Sequence, residues 1–577
     1  MVSKDDRIYY EEELRYLARE GQRFAQRHPD IAQYLGLEEL NPNLRDPHSE
    51  RIIEAFAFLT GRLRRFMDQQ FPELIHALFN LIFPLYLRPL PSKTLMEFQP
   101  AESMLDKPFL VPRGTALYSD PVGENNRVIE FSTTQPVLVQ PISVKDVLVD
   151  PETKADFSLS VALKFHPGVK TESLQLDDLE FGLVGDPSQC FDLFHAFSQN
   201  LKAIQIKGFP LPEGQLKLVW SGFDEDHHFQ ETDRNEFSQL HLLRDYFDFP
   251  QRYYFFKVKG LMQALGASLK DRTDLQLNFI FHRPFPPGSQ FNKGHIRLFC
   301  CPAQNVFPVL CEPIEISGHQ LEYLVVPDLT RPELEVYSLE KVIASFEQTK
   351  TEVHPYYHFS FDSLSQKNRW FYTVRRDMSF ESGWDSFIRL IDLDQEGPDV
   401  LRGQTLSIRA LCTNRGEAQA VKIGQIRKMG ASVPETISCR NISQVSKAFW
   451  PPIHSRGDWD FISHLGLNFS ELTRTGPLKR LLTLYNIPQS DAGKRKITGL
   501  MEVSDAKDQR IVFGQAVHGR QLKIGLDEHF FQHEGDITLF CQVFGRFLRA
   551  YCPINSFIRL TLQNKDHSKT WEYTATY

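Results

Sequence analysis

The stretch FPELIHALFNLIFPLYLRPLPS, Phe71–Ser92, is strongly apolar and decides how the beginning of the chain must fold. Within Leu74–Leu87 the only interruptions are His76, Asn80 and Pro84. The run is too short to cross a bilayer, which needs about 20 apolar residues. A surface helix would carry one apolar stripe, whereas this one is apolar on nearly every face. The pattern therefore predicts a helix covered on all sides, either by the chain itself or by another protein.

The overall composition is that of a folded soluble protein. The 577 residues are 41% hydrophobic and 24% charged, which allows several domains of about 150 residues each. The net charge of −8 argues against a nucleic-acid partner bound through bulk positive charge. The first residues, MVSKDDRIYYEEELRYL, lack the apolar core of a signal peptide, and no window reaches transmembrane length. We therefore expect a cytoplasmic protein that is not inserted in a membrane.

The eight cysteines show no metal-binding or disulfide pattern. No C-x-x-C pair occurs among them, and the adjacent Cys300 and Cys301 cannot chelate like a zinc knuckle. In a chain of this length such cysteines predict reduced core thiols.

The distribution of helix and strand signals along the sequence predicts an α+β, β-rich multidomain fold with three parts. Residues 1–95 are predicted to form a helical module. Tyr10, Leu14 and Leu17 recur at helical spacing, and Asp46-Pro47 is a typical helix start. A third helix is predicted between Pro72 and Pro84.

Residues 96–328 are predicted to form a β-sandwich or barrel-like domain, and residues 329–577 a mixed α+β domain. The first of these regions contains short β-branched and aromatic runs between Pro/Gly turns, which are typical of closely spaced strands. In the second region, VYSLEKVIASF (336–346) predicts a turn and a short helix. The segment 459–487 predicts a helix broken at Gly476-Pro477.

No sequence motif predicts an enzyme, a metal site or a cofactor. In HFFQH (529–533) a zinc protease would need Glu after the first histidine, but Phe530 stands there, so two surface histidines are favoured. The run FDEDHHF (223–229) favours a solvated acidic turn, because neighbouring strand side chains point to opposite faces. Asp245 and Asp248 in LRDYFDF lie beside aromatic residues, as the carboxylates of sugar-cleaving enzymes often do. Their spacing in sequence does not give the distance between the two carboxyl groups across a cleft, which such an enzyme requires.

Four arginines, Arg15, Arg19, Arg23 and Arg27, repeat every four residues along the first helix. Like charges at this spacing repel one another unless nearby groups of opposite charge neutralise them. Glutamates on the same helix neutralise part of that positive charge. A solvated helix face is favoured over an acidic partner groove.

Several strings, taken in order, carry a family resemblance. The N-terminal YYEEELRYL, FAQRHPDIAQYLGL and residues 46–92 resemble the opening of TssF, the type VI secretion baseplate component also called ImpG or VasA. Similar landmarks continue to the C-terminus, namely VPRGTALYS (111–119), YFDFPQRYYFFKVKGL (246–261), VYSLEKV (336–342), LSIRALCTNR (406–415), HLGLNF (464–469) and YCPINSFIRLTL (551–562).

The resemblance implies a structural role without a catalytic centre. Two copies of such a protein join one TssG-like subunit in a wedge. Six wedges surround the spike hub beneath the sheath, and TssK-like adaptors link them to the membrane complex. The alternatives are a wedge protein of a phage-like contractile tail and, more distantly, a β-sandwich carbohydrate-active enzyme.

The resemblance also implies that the N-terminal helices join a bundle shared with partners. The candidate partner-binding residues are Tyr10, Leu14, Arg15, Leu17, Arg19, Leu74, Leu78, Leu81, Ile82 and Leu85.

We predict that Leu78→Asp together with Ile82→Asp abolishes partner binding or leaves the chain insoluble, because charges would replace side chains of a helix that must be covered. Expression tests and co-purification with a TssG-like partner check this. Full solubility with normal assembly would contradict the prediction.

Overall fold

The computed structural model describes most of the chain. The described residues are 10–11, 13–17, 47–70, 79–80, 84–102, 104–123, 126–150, 157–169, 171–209, 212, 214–224, 229, 238–269, 272–317, 319–346, 349–356, 370–379, 382–392, 403–451, 469–512, 515–553 and 555–576. They belong to two compact units. The first unit comprises residues 1–80 and 452–460, and the second comprises 81–451 and 461–577.

The described part of the first unit is helical. Residues 10–11 and 13–17 are helical, α1 spans Pro47–Gln70, and Phe79 and Asn80 are helical. The predicted helix start at Pro47 is confirmed, whereas Asp46 lies outside the described residues. Proline is well placed there, because the first helical residue has no intrahelical partner for its N–H.

The second unit is rich in strands, which confirms the predicted fold class. The strands are β1 Lys93–Pro100, β2 Phe109–Val111, β3 Ala116–Ser119, β4 Glu130–Thr133, β5 Val137–Val139, β6 Ile142–Asp150, β7 Phe157–Phe165, β8 Glu180–Leu183, β9 Leu201–Ile206, β10 Lys217–Trp220, β11 Phe255–Lys259, β12 Asp274–Phe281, β13 Ile296–Leu298, β14 Cys300–Gln304, β15 Phe307–Leu310, β16 Ile314–Glu315, β17 Tyr323–Leu324, β18 Glu335–Phe346, β19 Thr349–Pro355, β20 Trp370–Met378, β21 Trp384–Asp392, β22 Thr405–Thr413, β23 Ile426–Met429, β24 Ile437–Asn441, β25 Leu500–Val512, β26 Gln515–Leu526, β27 Phe557–Asn564 and β28 Thr570–Thr576.

The helices of this unit lie between the strands. They are α2 Pro187–His195, α3 Ser238–Asp248, α4 Leu261–Leu265, α5 Phe469–Leu472, α6 Thr475–Tyr485, α7 Asp491–Thr498 and α8 Glu534–Phe547. A 3₁₀ turn at Pro84–Leu87 precedes β1.

The strands form several sheets rather than one. A six-stranded sheet has the order β23-β3-β4-β14-β1-β24, and a larger sheet has the order β15-β22-β18-β19-β20-β21-β17 with β16 also on β22. Two four-stranded sheets have the orders β10-β11-β8-β13 and β6-β7-β12-β9, and β2 pairs with β5. The six-stranded sheet combines strands from both sides of residue 328, and the three-part division of the chain stays a prediction.

The C-terminal sheet, β25-β26-β27-β28, contains a parallel pair, β26 and β27. Parallel neighbours require a crossover connection, and α8 provides it. Most side chains of α8 are buried, and the helix packs against β28. Gly545 permits this approach, because a Cβ there would lie 2.2 Å from the Tyr573 ring.

Two local predictions are wrong. Residues 336–346 lie in the strand β18, not in a turn and helix, and two β-bulges in its pairing with β22 break the alternation that sequence reading relies on. The helical break in 459–487 does not fall at Gly476-Pro477, because both residues lie in the first turn of α6, where proline is tolerated. Residues 459–468 are outside the described part.

The prediction of reduced core thiols is confirmed. All eight cysteines are free and buried. Burial raises the pKa of Cys190 and of Cys439 to about 12.

Buried ion pairs hold helix α3 in place. Lys93, at the start of β1, pairs with Asp248 at the end of α3, and both side chains are almost fully buried. Arg252 pairs with Asp245 one turn earlier on α3. The Phe229 ring lies 4.1 Å from the Lys93 ammonium and 5.4 Å from the Arg252 guanidinium. Two buried cations therefore neutralise two buried carboxylates around one aromatic ring.

We predict that Lys93→Met lowers the free energy of unfolding by about 3–5 kcal/mol, because it leaves the Asp248 carboxylate buried without its cation. Asp248→Leu added to Lys93→Met should recover much of this loss, since no charge is then stranded. Urea unfolding followed by tryptophan fluorescence measures both variants.

The control is Lys259→Met, which removes a solvent-exposed pair with Asp178 at 3.0 Å and should cost about 1 kcal/mol or less. Equal losses for Lys93→Met and the double variant would contradict the assignment of the loss to the stranded charge.

Candidate partner-binding surfaces

Helix α1 is apolar on two faces. Ile53, Ala57 and Gly61 recur every four residues and form a face in which Ala57 and Gly61 are buried and Ile53 is half-buried. On the other face Ile52, Phe56 and Leu59 are 69%, 54% and 59% exposed. Their spacing of four and three places them on one stripe. An exposed stripe of large apolar side chains is typical of a surface that binds another protein.

One flank of this stripe is basic. Arg51 and Arg62 are exposed, and the Arg62 guanidinium lies 5.9 Å from the Phe58 ring. Charged side chains beside an apolar centre are typical of the edge of a protein interface.

The candidate residues of the first helix differ in exposure. Tyr10, Leu14 and Leu17 are half-buried, whereas the Arg15 side chain is 79% exposed. The Arg15 guanidinium lies 4.0 Å from the Glu11 carboxylate one turn earlier, which partly neutralises its charge. Burial, and then the Glu54 carboxylate, raise the pKa of Tyr10. Arg19 lies outside the described residues.

Only part of the apolar stretch can be placed. Leu74, Leu78, Leu81 and Ile82 lie outside the described residues. Phe79 is buried, and Leu85 is buried with 2% exposure. Leu85 therefore does not lie on the exposed surface, and its part in partner binding stays a prediction.

Two arginines fix the Pro84–Leu87 turn within the second unit. Arg244 of α3 donates a hydrogen bond of 3.0 Å to the Leu85 carbonyl. Arg376 of β20 donates to the carbonyls of Leu87 and Tyr337. Leu90 then exchanges backbone hydrogen bonds of 2.7 and 3.0 Å with Phe449. Carbonyls that a short 3₁₀ turn leaves open are thus satisfied by buried guanidinium groups.

Asp245 and Asp248 do not form a sugar-cleaving site. Each carboxylate is buried and paired with a cation, Arg252 and Lys93 respectively. Burial raises the pKa of Asp248, and Lys93 opposes this effect. A glycosidase requires two carboxyl groups that flank a substrate across an open cleft, which these two do not.

The two histidines of HFFQH have different surroundings. His529 is exposed, as predicted, but the prediction of a surface histidine is wrong for His533. The His533 side chain caps α8, with Nδ1 accepting a 3.2 Å hydrogen bond from the Gly535 N–H. Its Nε2 lies 2.9 Å from Asp192 Oδ1 on α2. The ring therefore links two helices, and among the described residues no three His, Cys, Asp or Glu side chains come together as metal ligands.

Residues 225–228 of the acidic turn FDEDHHF lie outside the described part, while Phe223 and Phe229 at its ends are buried.

A cleft of about 910 Å³ lies beside β1. Its Glu97 carboxylate accepts hydrogen bonds from Arg297, Arg440 and Gln99, so its charge is already neutralised. Burial lowers the pKa of His166 in the same cleft, which favours a neutral ring. These groups stabilise the cleft walls.

Among the helices of the described ranges, none is both long enough and apolar enough to span a membrane.

Comparison with known proteins gives one consistent result. The family model described as "Type VI secretion system, TssF" matches residues 3–576. The type VI secretion system component TssF1 of Pseudomonas aeruginosa is 28% identical over 615 aligned residues, which cover 98% of each protein.

Two solved structures have a similar fold. A chain in the TssK-TssF-TssG baseplate subcomplex, determined by cryo-electron microscopy, superposes with a TM-score of 0.77 and 25% identity, and the match covers 91% of this chain and 99% of that chain. A chain in the baseplate complex from the type VI secretion system superposes with a TM-score of 0.64 and 23% identity over 98% of each chain. The second likeness shows the fold alone.

We predict that Asp192→Asn destabilises the protein more at pH 6 than at pH 8.5. The hydrogen bond to Asp192 raises the pKa of His533, and burial acts in the opposite direction. A group with a raised pKa stabilises the fold fully below its unfolded pKa of about 6.5, and this stabilisation is lost as the pH rises through the folded pKa. The partial exposure of the pair limits the expected difference to about 1 kcal/mol.

Thermal or urea unfolding at the two pH values measures this difference against the wild type. Burial lowers the pKa of His195, so the contribution of His195 to stability has the opposite dependence on pH. The informative quantity is therefore the free energy of unfolding of each variant minus that of the wild type at the same pH. Asp186→Asn, at an exposed carboxylate before the same helix, is the control. An equal loss at both pH values would exclude a charged His533.

Proposed function

Because this chain belongs to the TssF family of the type VI secretion system, we propose that it is a structural wedge component of the baseplate. In this role it binds a TssG-like subunit, with two copies of this chain to each partner, and TssK-like adaptors. The wedges surround the spike hub on the cytoplasmic side of the machine. The TssK-TssF-TssG composition of the subcomplex that contains the similar chain supports both partners.

The exposed apolar stripe of α1 is the observation that carries this proposal. Ile52, Phe56 and Leu59 face solvent although the opposite side of the same helix is already packed. Exposed aromatic and aliphatic side chains in the centre of a polar rim usually contribute most of the binding energy at an interface. We infer that a helix of the TssG-like subunit packs against this stripe, as one helix packs on another in a bundle.

Binding rather than catalysis is the role that the other sites support. The carboxylates that could act as acid and base, Asp245 and Asp248, each neutralise a buried cation. The Glu97 carboxylate in the cleft beside β1 is likewise neutralised, by two arginines. We infer that these charges hold the scaffold rigid while the helical surface binds the partner.

We predict that Ile52→Ser together with Phe56→Ser weakens binding of the TssG-like subunit by at least about tenfold, because the two largest exposed side chains of the stripe are lost. Native mass spectrometry of the co-expressed proteins measures the fraction of the two-to-one complex.

The matched control is Arg51→Ser together with Arg62→Ser, which makes two serine substitutions on the exposed side of the same helix but outside the stripe. The control loses more helix propensity than the stripe variant, because arginine is a better helix former than serine while isoleucine and phenylalanine rank close to serine. Weaker binding by the stripe variant than by the control therefore reports the loss of the apolar surface and not of the helix. Equal complex formation by both variants would reject the α1 stripe as the TssG-binding surface. A wild-type chain that ignores the partner would reject the proposed function.

A further inference from the structure

The C-terminal sheet ends in a long open strand. β25 spans 13 residues and pairs only with β26, so within the described residues its outer edge has no neighbouring strand. Beyond the buried Leu500 almost every side chain of β25 is exposed or half-buried, and Ile511 is 78% exposed. Such an edge presents a row of unpaired N–H and C=O groups to any strand that approaches it.

The hairpin of β25 and β26 also extends past the rest of its sheet. β27 pairs with β26 only from Gly519 to Leu526. Because Gly519 lies opposite Asp508, the last four residues of β25 have no third strand beside their hairpin. Gln509, Arg510 and Ile511 of this arm are all exposed.

The charges on β25 are arranged in a self-complementary order. From Glu502 to Arg510 the sequence is EVSDAKDQR, with Ala506 at its centre. Asp505 and Lys507 each lie one residue from Ala506, on opposite sides. Glu502 and Arg510 each lie four residues from it, also on opposite sides. Two such strands aligned antiparallel about Ala506 would place each acidic side chain of these pairs opposite a basic one.

The present ion pairs leave this complementarity available. Asp505 pairs with Arg520, and Asp508 lies 3.3 Å from Arg559. In the part of the chain that the structure describes, Glu502, Lys507 and Arg510 have no ion-pair partner. Three charges on the open edge are thus free to meet opposite charges on another strand.

Hydrogen-bond alternation permits the same register. Val512 pairs with Gln515 across a two-residue connection, and residues that flank such a connection exchange hydrogen bonds. The even-numbered residues of β25 then direct their backbone groups toward β26, and the odd-numbered residues direct theirs outward. A register centred on Ala506 places odd residues opposite odd residues, as an antiparallel ladder requires.

We propose that two copies of this chain associate through their β25 strands, antiparallel and centred on Ala506, to form one continuous eight-stranded sheet. Asp505 of each copy faces Lys507 of the other, and Glu502 faces Arg510. Registers centred on Asp505, Lys507 or Asp508 would instead place like charges directly opposite each other, which is destabilising. The proposal does not depend on the function proposed above, because it requires only this chain.

A disulfide trap tests the register directly. In this register the two Ala506 residues form a non-hydrogen-bonded pair with Cα atoms about 4.5 Å apart, which a disulfide can bridge. We expect the purified full-length Ala506→Cys variant to form a covalent dimer under mild oxidation. Ala506 is exposed, so the substitution does not disturb a core, and the eight native cysteines are all buried.

Ser504→Cys is the matched control, since it lies on the same face of the same strand and is also exposed. Its two copies would be offset by four residues, about 13 Å, which no disulfide spans. A dimer from Ala506→Cys but not from Ser504→Cys supports the proposal. No dimer from Ala506→Cys, or equal dimer from both, overturns it and favours an edge whose charges only prevent aggregation.

A charge exchange tests the pairing in solution. We expect Glu502→Arg or Arg510→Glu alone to weaken the dimer about tenfold in analytical ultracentrifugation, because each change replaces attraction with repulsion at two symmetric positions. Glu502→Arg combined with Arg510→Glu restores opposite charges and should restore the wild-type dissociation constant. A double variant as weak as the single variants would contradict the pairing.

Discussion

The second unit depends on how it accommodates charges that the fold has removed from water. Lys93 and Arg252 lie in the interior with Asp248 and Asp245, and each cation is within reach of the Phe229 ring. Desolvation of such ions costs several kcal/mol each, so they are stable only when paired and held in good geometry. This requirement fixes the start of β1, the end of α3 and the turn after it relative to one another.

The same principle extends to the backbone before β1. Arg244 belongs to the helix that carries both carboxylates, and its guanidinium binds the Leu85 carbonyl. Arg376 binds the Leu87 carbonyl from a different sheet. The side chains of Leu85, Tyr86 and Leu87 are buried, while charged groups from two elements satisfy the carbonyls of Leu85 and Leu87. These buried hydrogen bonds favour one arrangement of the turn, because a carbonyl removed from water is stable only where a donor meets it.

The α1 stripe and the β25 edge differ in chemistry. The α1 stripe is apolar and suits a partner helix, whereas the β25 edge is charged and offers backbone hydrogen bonds. An apolar stripe binds any complementary apolar surface, so its specificity must come from shape and from the charged side chains beside it. An edge strand selects its partner by register, because a shift of one residue exchanges every side chain between faces. The charges of β25 therefore both discourage random pairing and favour one register.

Sequence alone determined those features that depend on local chemistry or on a long ordered resemblance. Pro47 predicted the start of α1 because proline suits the first helical position, and the texture of the chain predicted a β-rich α+β fold. The ordered strings identified the family, since a match along the whole chain does not depend on any single motif. The cysteine spacing predicted buried, reduced thiols.

Tertiary structure decided whatever depends on partners that are distant in sequence. The β18 segment reads as helical because its bulges, which pairing with β22 imposes, disrupt the two-residue period. Asp245 and Asp248 have the same spacing whether they line a cleft or pair with cations, and the position of Lys93, 155 residues away from Asp248, made the difference. Likewise, periodicity indicates that Ile52 and Phe56 share a helical stripe, but only packing decides whether that stripe is covered. Burial and long-range pairing are properties of the assembled elements, so no local pattern can specify them.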